Sequence, residues 1–374
     1  MSFRHRIILT GGGTGGHIYP ALAVAEQLRA DDSVEAILYI GAKGHFEEKL
    51  AQERNLEFVG LSVSGLPRKL SGKLISWPFQ YFNAVNAARK EIDRFRPTAI
   101  LGTGGYASGP PLTAALLAHK KVAIHEPDAH PGLANRVFGR YASLISLGMA
   151  EAGESFARTE AQVEVNGNPV SQRFLSPPSR ADALAQLGLE ENKTTVLVTG
   201  GSQGAVALNK AIYELLPMIK QDNIPLQILH QVGEKNWQSL EADLGAELLN
   251  SSFYKPRPYF DQLEIAYAAS DLTVCRAGAM TIAELLVSGM PAIFVPYPFA
   301  AQDHQTFNAR YVEAQGGAEV IVQSELTGER LYKAIISLHN NPDKLARMKR
   351  QMLSLARPKA AVDLAQQLLR LSGN

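Results

Sequence analysis

Short apolar runs recur along the chain, each closed by small or polar residues and most followed by a stretch of helical periodicity. In the first half they are Arg6–Thr10, Ala36–Ile40, Glu57–Leu61, Ala99–Leu101 and Val122–Ile124. In the second half they are Thr195–Val198, Gln227–His230, Phe253–Lys255, Asp271–Cys275 and Ala292–Val295. Apolar, partly β-branched and bounded by turn residues, these runs predict buried strands. Leu22, Val24, Ala25 and Leu28 give an apolar face to a helix that opens at Ile18-Tyr19-Pro20 and runs to about Asp31. Pro20 suits a first turn, where its missing N–H costs nothing. Further helices are predicted over Leu74–Phe95, from Pro110-Pro111 onward, from Ala205 through about Ile219, and over Gln262–Ala269 with Asp261 as its cap. Another covers Thr281–Val287, ended by Gly289 and Pro291. The tail Asp343–Leu371 is helical by pattern, with a break near Pro358.

Both halves open alike: strand, glycine loop, helix. The first loop is Gly11-Gly12-Gly13-Thr14-Gly15-Gly16-His17, and the second half repeats the device as Thr199-Gly200-Gly201-Ser202-Gln203-Gly204-Ala205. This restart predicts an α/β protein of two Rossmann-like, doubly wound domains, with Ser176-Pro177-Pro178-Ser179 as linker material. The expected bounds are 1–170, 171–355 and a C-terminal helix over 356–374. Gly11, Gly13 and Gly16 also fit the dinucleotide pattern G-x-G-x-x-G between strand and helix. That reading wants an acid at the end of the second strand. Ala36–Ile40 ends instead in Gly41-Ala42-Lys43, and Asp31, Asp32 and Glu35 precede it.

Candidate chemistry concentrates where predicted strands end. Arg276-Ala277-Gly278-Ala279 is a small-residue turn leading into a helix, and a helix N-terminus offers free N–H donors and a positive dipole end to a pyrophosphate. Glu284, one turn in, is placed to accept hydrogen bonds from a ribose diol. The loop carrying Gln302, Asp303, His304, Gln305 and Asn308 is rich in groups that read sugar hydroxyls. An ordinary strand–helix–strand unit with a solvated Glu284 is the plainer alternative. In the first half, Gly102-Thr103-Gly104-Gly105-Tyr106-Ala107-Ser108-Gly109 is another glycine loop between strand and helix, suited to a phosphate or simply to a tight turn. His125 and Glu126 put two titratable groups at a strand's C-terminal end, where open α/β sheets bind ligands. His230 reads as a satisfied strand-end histidine.

Composition narrows the classes. A chain of 374 residues exceeds one typical core. A formal charge of +1 argues against a nucleic-acid partner. The single cysteine, Cys275, cannot form an internal disulfide and fits a reducing cytoplasm. Lying in an apolar strand, it reads as a structural thiol. The opening MSFRHRIILT lacks a signal-peptide core, and no run approaches the ~18–20 apolar residues of a membrane span. Neither a Cys/His cluster nor an Asp-x-Asp pair appears, so no metal and no cofactor are expected.

The succession GGTGGH, RAGAMT, Glu284 and Asp303-His304-Gln305 resembles the MurG family of GT-B glycosyltransferases. The likeness implies two domains with a cleft between them. It also implies inverting transfer of N-acetylglucosamine from UDP-N-acetylglucosamine to the 4-hydroxyl of a lipid-linked muramyl-pentapeptide, at the cytoplasmic face of the inner membrane. By matching motif, Ala279, Met280 and Thr281 would face the pyrophosphate, Glu284 the ribose, His304 and Gln305 the sugar, and the backbone at Phe260 the uracil. Ser202 and Gln203 would add side-chain donors to the second loop. Thr14 and His17 would lie near donor phosphate and acceptor hydroxyl, with Gly15, Gly16 and Tyr106 as further substrate-binding candidates. His17 is the first choice of general base and Glu126 the second; His17 as a plain helix N-terminal residue is the alternative. The family pattern His-Glu-Gln-Asn becomes His125-Glu126-Pro127-Asp128 here, exchanging an amide donor for a carboxylate at Asp128. The Arg that usually follows the run Asn166-Gly167-Asn168-Pro169-Val170 is replaced by Ser171, with Arg173 two residues on.

Ser64–Phe82 interleaves Arg68, Lys69 and Lys73 with Leu66, Leu70, Leu74, Ile75, Trp77, Phe79 and Phe82. Such a stretch suits an anionic membrane surface, or else leads into a helix whose apolar residues are simply buried. The resemblance favours the membrane. A related lipid glycosyltransferase, a hydrolysing UDP-sugar epimerase and a non-catalytic nucleotide-sugar sensor remain as alternatives.

Overall fold

The computed structural model describes residues 4–66, 72–201, 204–300 and 303–373, without the side chains of 72–74. Ser202, Gln203, Gln302, Arg68 and Lys69, and the side chain of Lys73, therefore lie outside the described residues. The chain divides into two compact units. One comprises residues up to Gln172 together with those from Arg357 onward, and the other is Arg173–Ala356.

The first unit holds seven parallel strands: β1 His5–Thr10, β2 Val34–Ala42, β3 Glu57–Leu61, β4 Ala99–Gly102, β5 Val122–Glu126, β6 Leu144–Leu147 and β7 Gln162–Val165. Their order is β3-β2-β1-β4-β5-β6-β7. Ile7, Ile8 and Leu9 of β1 are all fully buried, because helices cover both faces. Ile8, Leu38, Ile100 and Ile124 face one layer, with Ala84, Val85, Ala88, Ile92, Leu112 and Ala115. Ile7, Leu9, Tyr39, Leu101 and Ala123 face the other, with Ile18, Leu22 and Leu28 of the Gly15–Arg29 helix. Leu364 and Leu368 of the last helix, Ala360–Gly373, belong to this second layer.

The Gly72–Phe95 helix divides its apolar residues. Ala84, Val85, Ala88, Ile92 and Phe95 are buried, whereas Ile75, Phe79 and Phe82 are 77%, 73% and 64% exposed. Spacings of four and three residues put those three on one face. Trp77 is held back by a hydrogen bond from its indole N–H to the Ser64 carbonyl (3.1 Å) and by stacking on Tyr81.

The second unit repeats the plan with β8 Thr194–Thr199, β9 Leu226–Gln231, β10 Tyr254–Arg257, β11 Leu272–Cys275, β12 Ala292–Phe294 and β13 Ala318–Val320, ordered β10-β9-β8-β11-β12-β13. In each sheet the order reverses once, between β1 and β4 and between β8 and β11. The crevices outside the C-terminal ends of those strand pairs are where doubly wound sheets take ligands. Two sequence expectations change. Asp261 does not cap the helix Leu263–Ala269; Gln262 is its N-cap, and Asp261 gives its carbonyl to Arg173. The RAGAMT helix starts two residues early, at Ala279, with Gly278 as N-cap.

Candidate functional site

At the β1/β4 switch point the two glycine loops are knitted together. Thr103 N–H donates to the Thr10 carbonyl (2.8 Å), and Gly12 N–H to the Gly104 carbonyl (3.3 Å). The Thr103 hydroxyl donates to the His17 carbonyl. The approach tolerates no side chain. A Cβ on Gly105, at φ +77, would lie 1.9 Å from the Gly12 carbonyl oxygen, and one on Gly104, at φ +99, would lie 2.8 Å from His17 Cδ2.

Thr14 is the N-cap of the Gly15–Arg29 helix, yet its hydroxyl caps nothing. It lies 3.0 Å from His17 Nδ1 instead. When Thr14 Oγ1 accepts from Nδ1–H, His17 Nε2 carries a lone pair, the tautomer a general base needs. Gly15 and Gly16 supply first-turn N–H groups that the helical ladder leaves unused. The Tyr106 ring covers Gly13, its hydroxyl 3.4 Å from His45 Nδ1. Burial, with nearby Glu47, pushes its phenol up.

His125 is placed otherwise than expected. It is fully buried, with Nε2 2.9 Å from Asn168 Oδ1 and Nδ1 3.1 Å from Ser146 Oγ. Asn168 must point its Nδ2 at the Pro127 carbonyl, so its oxygen accepts from His125 Nε2–H. Burial lowers the imidazole to about 4. His125 is thus a neutral strut with no surface for a ligand. Glu126, 2% exposed, accepts from Asp128 N–H (2.9 Å), Gly132 N–H (3.1 Å) and Asn135 Nδ2 (2.8 Å). Burial pushes its carboxyl up to about 7 against the pull of those donors. It anchors the 128–132 loop, and the half-buried Asp128 has its own N–H committed to that anchor. Asn135 also donates to the His125 carbonyl (2.9 Å), and its amide nitrogen and His17 Nε2 both flank Gly104.

In the second unit, the β8/β11 switch point gathers the other candidates. No side chain caps the Ala279–Ser288 helix, whose first turn holds no acidic residue. The first bond in its ladder runs from Ile282 N–H to the Gly278 carbonyl (2.9 Å). Ala279, Met280 and Thr281 therefore present N–H groups that no described protein group accepts. Gln305 Oε1 accepts from Ala277 N–H (3.3 Å) and Tyr297 N–H (3.0 Å), fixing this turn and leaving its Nε2 as the donor. His304 heads the helix His304–Ala314 beside it. Arg276 spends its guanidinium on the Val295 and Pro296 carbonyls and on Gln323, so it braces the turn rather than facing a phosphate.

Glu284 is half-buried beside Tyr267, Glu264 and Arg173. Burial drives its carboxyl up to about 8; Arg173 opposes the shift and Glu264 adds to it. Arg173 Nε lies 3.4 Å from Glu264 Oε2, and its Nη1 donates to the Asp261 carbonyl (3.3 Å). The backbone at Phe260 is partly committed. Its N–H already donates to Gln231 Oε1 (3.1 Å). His230 is satisfied by Tyr254 and Asn209, as expected for a strand-end histidine. The buried Cys275 thiol is pushed up by burial, as suits a structural residue. The roles of Glu47, Asn135, Asn168 and Gln231 were not legible in the sequence, because each depends on contacts that only the fold makes. Among the described residues no group of three or more His, Cys, Asp or Glu is arranged to hold a metal ion.

Residues 7–146 match the glycosyltransferase family 28 N-terminal domain, and residues 195–368 match the family 28 C-terminal domain. Together with the two parallel sheets, these matches define a family 28 glycosyltransferase of GT-B architecture. The UDP-N-acetylglucosamine–N-acetylmuramyl-(pentapeptide) pyrophosphoryl-undecaprenol N-acetylglucosamine transferase of Halothermothrix orenii is 41% identical, over 94% of this chain and 95% of its own. Its namesake in Desulforamulus reducens is 37% identical over 96% of both chains. The chain belongs to the MurG family. The crystal structure of Acinetobacter baumannii MurG is similar at 29% identity and a TM-score of 0.75, covering 98% of this chain and 99% of that one. A putative UDP-N-acetylglucosamine 2-epimerase from Listeria monocytogenes, 13% identical with a TM-score of 0.71, covers 96% of this chain and 95% of its own, and shares the fold.

Proposed function

We propose that the chain moves N-acetylglucosamine from UDP-N-acetylglucosamine to the 4-hydroxyl of undecaprenyl-pyrophosphoryl-N-acetylmuramyl-pentapeptide, with inversion at the sugar's anomeric carbon. One observation carries the donor half. The uncapped N-terminus of the Ala279–Ser288 helix, Glu284 one turn in, and the Gln305 amide meet at one switch point. A diphosphate suits the N–H groups, a ribose diol suits Glu284, and sugar hydroxyls suit Gln305 and His304. Arg173, tied to Glu264 and Asp261, offers a cation to the same nucleotide.

In the chemical step His17 Nε2 takes the proton from the acceptor 4-hydroxyl. Its oxygen attacks the anomeric carbon, whose bond to the β-phosphate oxygen breaks, and UDP leaves with the electron pair. The Thr14 hydroxyl holds the His17 ring in the basic tautomer. The backbone N–H groups at Ala279–Thr281 stabilise the charge that builds on the diphosphate. Glu126 acts through the loop it anchors, and His125 through Asn168 and the Pro127 carbonyl.

The acceptor's lipid tail requires the first unit to reach a membrane. Ile75, Phe79 and Phe82 form an exposed apolar face, and the sequence just before them carries Arg68, Lys69 and Lys73, the composition that binds anionic interfaces. Among the described residues no helix is long and apolar enough to cross a membrane. The reading is therefore of a peripheral contact on the inner leaflet.

The test is UDP release from UDP-N-acetylglucosamine, with and without a short-chain lipid-linked muramyl-peptide. Release that depends on the acceptor is expected. Binding of the donor with release indifferent to the acceptor would remove the acceptor assignment.

A further inference from the structure

The geometry points to Gln231 as a positioning residue for the donor nucleotide, tying the glycine loop after β8 to the backbone at Phe260. The inference rests on the donor reading above and deepens it. Gln231 ends β9, opposite Thr199 in the ladder, and is almost fully buried. Its two amide atoms reach in different directions. Nε2 donates to the Gly201 carbonyl at 2.9 Å, with Thr199 Oγ1 at 3.5 Å, while Oε1 accepts from Phe260 N–H at 3.1 Å. The orientation is forced, because a carbonyl can only accept and an amide N–H can only donate. Gly201, at φ +85, is held from its other end as well, its N–H donating to Thr199 Oγ1 (3.3 Å). A single side chain thus links the loop expected at the diphosphate to the backbone expected at the base.

A carboxamide does this at any pH, whereas a carboxyl does so only while it keeps its proton. The carboxylate introduced by Gln231→Glu would still accept from Phe260 but would set a second oxygen against the Gly201 carbonyl. The thioether introduced by Gln231→Met would release both ends. The link also decides what Phe260 offers a base: its N–H is spent, and its carbonyl is what remains to accept from a donor on the base edge.

The experiment measures UDP and uridine affinities and steady-state kinetics for wild type, Gln231→Glu and Gln231→Met. In Gln231→Glu the affinity for UDP and the KM for UDP-N-acetylglucosamine should worsen about 10- to 100-fold. Uridine affinity and kcat should stay within about threefold. Gln231→Met should weaken uridine as well. A residue that merely supports the fold would instead lower kcat with the folded fraction and affect UDP and uridine alike. In Gln231→Glu, equal losses for the two ligands, or a folded protein that binds UDP like wild type, would overturn the proposal. Amide hydrogen exchange on the unaltered protein gives an independent check: the Phe260 N–H should be protected without ligand, and rapid exchange there would also overturn it. Wild type that binds no UDP would bring down the donor reading itself.

Discussion

Glu284→Gln should make the second unit more stable while weakening its grip on the donor. Burial raises the Glu284 carboxyl from an ordinary 4.5 to about 8. Between those values the folded chain keeps a proton that the unfolded chain releases. The free energy of unfolding therefore falls as pH rises through that window, and the favourable state is the one below about 4.5. At pH 7 the gap of roughly 2.5 pH units above 4.5, at about 1.4 kcal/mol each, sets an upper bound of about 3.5 kcal/mol. Because the side chain keeps some contact with water, about 1–2 kcal/mol is the realistic figure. Glutamine mimics the neutral acid and carries no such cost. The assay is urea unfolding from about pH 4.5 to about pH 8.5, in a Trp77→Phe background. Trp237, the other of the two tryptophans, then reports on the second unit alone. The variant should gain most at pH 8 and nothing near pH 4.5. Its UDP affinity should fall about tenfold, and wild-type affinity should climb towards pH 8 if the ribose prefers the carboxylate. A stability difference that ignores pH would refute the reasoning.

Three further outcomes are expected. His17→Ala should cut turnover about 10²- to 10⁴-fold and leave UDP affinity within about threefold, as read by coupled UDP release and calorimetry; unchanged turnover would remove His17 from the chemistry. Gly105→Ala should destabilise the first unit by about 2 kcal/mol or more, since it adds both a left-handed strain and a clash with the Gly12 carbonyl, and a melting curve like wild type's would contradict that. Replacing Phe79 and Phe82 by Ser should weaken co-sedimentation with anionic vesicles about tenfold or more, at about 1.5–3 kcal/mol per buried ring, while UDP binding stays as it was; undiminished sedimentation would move the membrane contact elsewhere.

Much of the architecture was legible because its signals are local. Ile7-Ile8-Leu9 before the first glycine loop, and Val196-Leu197-Val198 before Gly200, declare buried parallel strands without help from the rest of the chain. Three strands were not legible: β6, internal but only four residues long, and β7 and β13 at the sheet edges. Gln162–Val165 alternates polar and apolar residues over one short stretch, and Ala318–Val320 spans three residues. The motifs located the switch points, but side-chain direction escaped them. His125 and Glu126 read as a ligand-facing pair, yet strand pairing places Ser146 directly opposite His125, and the ring turns inward to it. Asp261 looked like a cap by residue type alone, and the helix began one residue too late for it. Gln231 was invisible because its meaning depends on Gly201 and Phe260, both about thirty positions away along the chain.

The last helix has a consequence for how the protein is made. Leu364 and Leu368 sit in the layer that also holds Ile7, Leu9 and Leu22, and Lys121 donates to the Leu371 carbonyl. The amino-terminal unit is thus complete only when residues 357 onward have been synthesised. During translation its β1-side layer waits uncovered, whereas Arg173–Ala356 is contiguous and can close first. The order in which the units mature on the ribosome would run against the order in which they are encoded. A free chain truncated after Ala356 should therefore carry a protease-resistant second unit beside a first unit that is still cut.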